Sequence, residues 1–98
     1  LLEATAAFFE SIRENKSTVR ILFSESADNA FSARLVEHLC AGYLPVGEDA
    51  DESTTRYKQI YIANGTVGML REWVNTGFPL SSQKIAEMMY FLSRQINP

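Results

Sequence analysis

The segment Asn75-Thr76-Gly77-Phe78-Pro79 constrains this chain more than any other, because it ends a helix and forbids its continuation. Gly77 suits the left-handed position just past a helix, where other residues meet a steric penalty. Pro79 lacks the N–H that a resumed helix needs. Phe78 then falls at the second position beyond the cap, from which it can pack back on Trp73, a contact that accompanies Schellman endings. Ser81 is the N-cap of the next helix. The stretch from Tyr57 to Met89 therefore reads as a long helix, a sharp stop and a second helix, folded as an antiparallel hairpin.

At 98 residues the chain is one domain, 1–98. A chain of this size buries roughly 65% of its unfolded surface, so a further interface adds to a thin margin. The net charge is −3, and the nine Lys and Arg residues form no stripe. A chain so charged lacks the basic patch that grips a phosphate backbone. The one charge run, from Glu48 to Glu52, reads as a solvated acidic loop. The single cysteine, Cys40, excludes an intrachain disulfide and is compatible with a cytoplasmic setting. No apolar run reaches the length of a membrane span, and no signal peptide is visible. The chain opens at Leu1 inside a helical pattern, as expected of a piece of a longer protein.

Hydrophobic spacing predicts an all-α fold of about five helices, with no strand, repeat or low-complexity tract. The first helix spans about Leu1 to Asn15, with Leu1, Leu2, Thr5, Phe8, Phe9 and Ile12 on one face. A short second helix, capped by Ser17 or Thr18, carries Val19, Leu22 and Phe23. Asp28 or Asn29 caps a third, which runs to about Tyr43 and puts Phe31, Leu35, His38, Leu39 and Gly42 on its main face. Pro45 bars further helix there. Ser53, or Asp51 before it, starts the fourth, which runs to about Thr76, and the fifth spans about Ser82 to Ile96.

The last two helices carry more apolar surface than a small domain uses. On the fourth, Ile62, Ala63, Thr66, Val67, Met69, Leu70, Trp73 and Val74 cover about half the circumference. A second arc lines up Tyr57, Tyr61, Asn64, Gly68 and Arg71. That stripe either lines a ligand pocket or forms a polar part of a dimer seam. Arg71 suits a ligand carboxylate or phosphate, and equally an acid such as Glu87 on the neighbouring helix. Gly65 and Gly68 each cost about 1 kcal/mol in a helix interior, and close approach of another helix or a ligand is the expected return. On the fifth, Ile85, Met88, Met89, Leu92 and Ile96 share a face, flanked by Tyr90 and Phe91. The hairpin is expected to bury one side in its own domain and the other in a second copy of the chain, with Gly68, Trp73, Ile85, Met88, Met89 and Leu92 at the dimer interface.

His38, on an apolar face, is more often a core residue than a ligand contact, though an imidazole there keeps a binding role open. Cys40 lies two positions on and points elsewhere, so no Cys–His dyad forms. No second imidazole or thiolate stands at helical spacing, so no metal or cofactor is expected. Phe8, Phe9, Phe23 and Phe31 are core residues or the walls of an apolar pocket, Phe8 being a candidate ligand contact. A small all-α enzyme of the chorismate-mutase kind needs several convergent cations, and Arg71 alone is well placed. A plain helical interaction module is the other alternative.

The run Tyr61-Ile62-Ala63-Asn64-Gly65-Thr66-Val67-Gly68-Met69-Leu70-Arg71-Glu72-Trp73, with Asn75-Thr76-Gly77 and Ser81-Ser82 after it, resembles the C-terminal region of TetR-like (tetracycline-repressor-type) transcriptional regulators. There, a glycine-containing helix ends in a Trp, a Gly turn comes next, and a Ser-started helix completes the chain. The resemblance covers most of the sequence and is most specific from Tyr61 to Met89. It implies a helical regulatory domain that binds a small-molecule effector and forms a homodimer through its last two helices, as a four-helix bundle. It also implies an N-terminal helix-turn-helix domain, which these residues do not contain; DNA would be contacted only through that absent domain.

Overall fold

A computed structural model describes residues 2–24, 28–42 and 51–96. These form five helices: α1 (Leu2–Glu14), α2 (Lys16–Leu22), α3 (Asp28–Gly42), α4 (Glu52–Asn75) and α5 (Ser82–Ile96). No strand occurs among the described residues, as the helical spacing predicts. Pro45 and the expected acidic loop as far as Ala50 lie outside the described residues, as do the capping side chains of Asp28 and Asn29, while Glu52, expected in that loop, is the first residue of α4.

Local chemistry sets the helix ends. Asp51 is the N-cap of α4, and its Oδ1 accepts from the Thr54 N–H at 2.7 Å. This bond, the side-chain bond to Thr54 and a weaker one from the Ser53 N–H hold the Asp51 carboxyl below its ordinary pKa. The folded value lies below the unfolded one, so the stabilisation is complete above the ordinary pKa. It is lost as pH falls through the lowered folded value. Asp51→Ala is therefore expected to lower the melting temperature at neutral pH and to leave it unchanged at strongly acidic pH. Asp51→Asn, which keeps the acceptor, should retain most of the neutral-pH stability. Thermal melts across the acid range check both.

The stop after α4 obeys the Schellman pattern. The Phe78 N–H donates to the Trp73 carbonyl at 2.8 Å and the Gly77 N–H to that of Val74 at 3.2 Å. Gly77 sits at φ 85°. Phe78 also has a positive φ, of 59°, and its ring meets Trp73 edge-on with centroids 4.8 Å apart. That packing holds an aromatic residue in a region that costs about 1–3 kcal/mol. The Trp73 indole N–H donates to the Leu80 carbonyl at 2.9 Å, pinning the far side of the turn. Arg20 of α2 lies over the Phe78 ring. Ser81 then caps α5, its Oγ accepting from the Lys84 N–H at 3.1 Å.

The short helix α2 departs from expectation. Its N-cap is Asn15 rather than Ser17 or Thr18, and it makes no side-chain cap bond. The Asn15 side chain instead donates back to the Ser11 carbonyl at 2.8 Å, so the turn closes on α1.

Helix pairing does not follow chain order. α5 packs chiefly on α1, and α4 chiefly on α3; the two helices of the terminal hairpin touch each other less. Phe9 of α1 is fully buried and meets Trp73 edge-on at 5.7 Å. Ile62, Val67, Leu70, Val74, Ile85 and Ala86 belong to the same core, which Val19, Phe23 and Leu39 extend towards α2 and α3.

Candidate functional site

The buried line of α4 runs through Ile62, Ala63, Thr66, Val67, Leu70, Trp73 and Val74. Helical geometry then turns the opposite arc outward. Tyr57 is 72% exposed and Tyr61 68% exposed, and Asn64 is exposed with its amide donating to the Ile60 carbonyl at 2.9 Å. These three candidates share a face as expected, and that face is the surface of the chain.

Arg71 stands apart from them. It is half-buried, donates to the Ser32 hydroxyl of α3 at 2.8 Å, and lies 5.7 Å from the Phe23 ring centre. The expected alternative partner, Glu87, accepts instead from Gln83 on its own helix. Arg71 thus ties α4 to α3 and to the end of α2, where Phe23 meets Phe31 edge-on at 4.9 Å.

His38 is exposed, contrary to its expected place on the apolar face of α3. The packed side of that helix is centred on Leu35, Val36 and Leu39, with Cys40 half-buried beside them, and this rotation turns His38 out. Phe8 is half-buried on α1, edge-on to Phe9 at 5.7 Å, and serves the core. The candidate ligand residues are therefore spread over α1, α3 and two sides of α4 and do not converge on one cavity.

The dimer candidates divide in two. Trp73 and Ile85 are buried in the chain's own core, at 2% and 4% exposure, and have little surface left for a partner. Phe9 and Phe78 settle the place of Trp73, through contacts that are distant in sequence or depend on the turn. Gly68 and Met89 are half-buried, while Met88 and Leu92 are exposed large apolar residues. Phe91, at 62% exposure, and Leu80 extend the same class of surface.

Two open grooves lie along this side of the hairpin. One, of about 420 Å³, lies between α4 and α5, with Tyr61 and Gly65 on one wall and Met89 and Leu92 on the other. The second, of about 520 Å³, runs from Gly68 to the turn at Leu80, with Met88 on its far wall. Met69 borders both. A Cβ placed on Gly65 or Gly68 would meet nothing within 4 Å in this chain, so neither glycine is required by intrachain packing. The spacing shows both glycines; that the space above them is empty depends on the separation of α4 and α5, which no local pattern encodes.

No group of three or more His, Cys, Asp or Glu among the described residues could hold a metal ion. No helix among them is long and apolar enough to cross a membrane.

A family model described as the transcriptional regulator C-terminal region, of the TetR type, matches residues 1–95. No curated protein and no solved structure matches the chain. Five helices, the Gly turn after Trp73 and the match over nearly the whole length agree: this chain belongs to the family of TetR-type transcriptional regulator C-terminal regions.

Proposed function

We propose that the chain is the dimerising and effector-sensing part of a TetR-like regulator of transcription. It acts in the cytoplasm, pairs with a second copy through the outer face of α4 and α5, and reaches DNA only through a separate helix-turn-helix domain. The observation that carries this reading is the outward surface of the hairpin, where Tyr61, Met88, Phe91 and Leu92 stand exposed beside two glycines with empty space above them. An apolar surface of this kind, on a chain with a small core, favours association. Gly68 allows another backbone to approach closely, and its helix-propensity cost of about 1 kcal/mol has no return within the chain. In such a dimer an effector that prefers one arrangement of α4 and α5 shifts the population of states, and with it the spacing of the DNA-reading domains.

Gly68→Leu tests the pairing. A Cβ there meets nothing within 4 Å and the position borders an open groove, so the helical circular dichroism signal of the single chain should persist. The dimer should weaken by about tenfold or more, because the added volume blocks close approach. Sedimentation equilibrium reads this directly, and an unaltered dimer would rule out close packing at Gly68.

A second reading, a helical interaction module without a small-molecule ligand, draws on the exposure of Tyr57, Tyr61 and Asn64, which face outward rather than into an enclosed cavity.

A further inference from the structure

The groove between α4 and α5 has a specific cause. α5 is held mainly by α1, so it does not close on α4, and the residues lining the gap include three small ones: Gly65 and Thr66 on α4 and Ser93 on α5. No side chain fills the space above Gly65. The two hydroxyls are already engaged. Thr66 Oγ1 donates to the Ile62 carbonyl at 2.8 Å, and Ser93 Oγ to Met89 Sδ at 3.2 Å. Both residues are buried, so the floor offers a ligand little hydrogen bonding. The remaining walls are Ile62, Met69, Met89 and Leu92, with the Tyr61 phenol and the Gln95 amide as polar groups. Among the described residues the lining includes no Lys, Arg, Asp or Glu side chain.

We infer that this groove is the effector site, and that it takes an uncharged, predominantly apolar small molecule. The inference rests on the ligand-sensing reading above and deepens it. A volume of about 420 Å³ lies in the range of small-ligand sites, which are mostly apolar with few orienting polar groups. A charged ligand would lose its hydration here without gaining an opposite charge, which is strongly unfavourable. Met69 and Met89 have flexible side chains that adapt to an irregular guest. The guest lies between the two helices whose outer faces form the proposed dimer surface. It would wedge or draw together α4 and α5, so ligand binding and dimer geometry are coupled without a relay through the core.

Two dyes with one ring skeleton test this: neutral N-phenyl-1-naphthylamine and its anionic relative 1-anilinonaphthalene-8-sulfonate. Fluorescence titration of the chain should show saturable binding of the neutral dye at one per chain, and affinity for the sulfonate about tenfold weaker or worse. Gly65→Leu fills the groove from its α4 wall and should weaken neutral-dye binding by about tenfold or more, whereas Gly65→Ala should change it by less than about threefold. Leu92→Trp, entering from the exposed side of α5, carries the same expectation as Gly65→Leu and serves if that variant loses its helical signal. Equal affinity for the two dyes, no saturable binding, or undiminished binding in a folded Gly65→Leu chain would each overturn the assignment. Sedimentation of the same samples separates this from the pairing itself. A monomer whose neutral-dye binding still depends on residue 65 upholds the groove and overturns only the dimer.

Discussion

Trp73→Ala is expected to leave the chain largely unfolded at temperatures where the parent is folded. The indole is almost wholly buried, sits edge-on to Phe9 of α1 and Phe78 of the turn, and donates to the Leu80 carbonyl. Removing a buried Trp costs about 3–5 kcal/mol, because the surroundings collapse only partly into the cavity. A domain of this size holds only about 5–15 kcal/mol in all. At about 4–8 °C per kcal/mol, the melting temperature should fall by roughly 15 °C or more. Trp73→Phe separates the contributions. It keeps most of the ring contacts and frees the Leu80 carbonyl, so a loss nearer 1–3 kcal/mol is expected. Thermal denaturation tracked by circular dichroism distinguishes the two. A Trp73→Ala chain melting within a few degrees of the parent would mean that the aromatic cluster does not organise the core.

The second large effect concerns association. Met88→Asp combined with Leu92→Asp should leave the chain folded and abolish pairing at micromolar concentration. Both side chains are exposed in the single chain, at 41% and 47%, so their replacement removes little from the core. Burying a side chain of this type contributes about 1.5–3 kcal/mol. Two of them, replaced by carboxylates that would face their symmetry mates, should weaken the dimer by about a hundredfold or more. Light scattering should report a folded monomer. An unchanged dimer would move the interface to another face of the chain.

What can be read from the sequence depends on the range of the interactions involved. The end of α4 is legible because Gly77, Phe78 and Pro79 act on their immediate neighbours. The Ser81 cap is legible for the same reason, and Asp51 is one of the two caps that the sequence allows for α4. The buried arc of α4 is legible as well, since seven of its eight apolar positions are buried and only Met69 stays half-exposed. The stripe is harder. Spacing establishes that Tyr57, Tyr61 and Asn64 share a side, but the neighbours of α4 decide whether that side is inside. Arg71 lies against α3 rather than beside Glu87 of α5, because its partner Ser32 is 39 residues away in sequence. For Trp73 and Ile85, an apolar surface exceeding one stripe points to a partner chain. The excess is taken up instead by α1, whose pairing with α5 no local pattern reveals.

That pairing has a consequence for synthesis. Of these five helices, the first to leave the ribosome finds its main partner in the last, and the bond from Ser82 to the Glu10 carboxylate spans 72 residues. Closing so long a loop carries an entropic cost that early, local contacts do not offset. At about 5–20 residues per second, Glu10 waits several seconds for Ser82 of α5 to be made. During that interval α1 is an unprotected amphipathic segment, open to chaperones and to other nascent chains. The domain therefore completes its core only when translation of its final helix is finished.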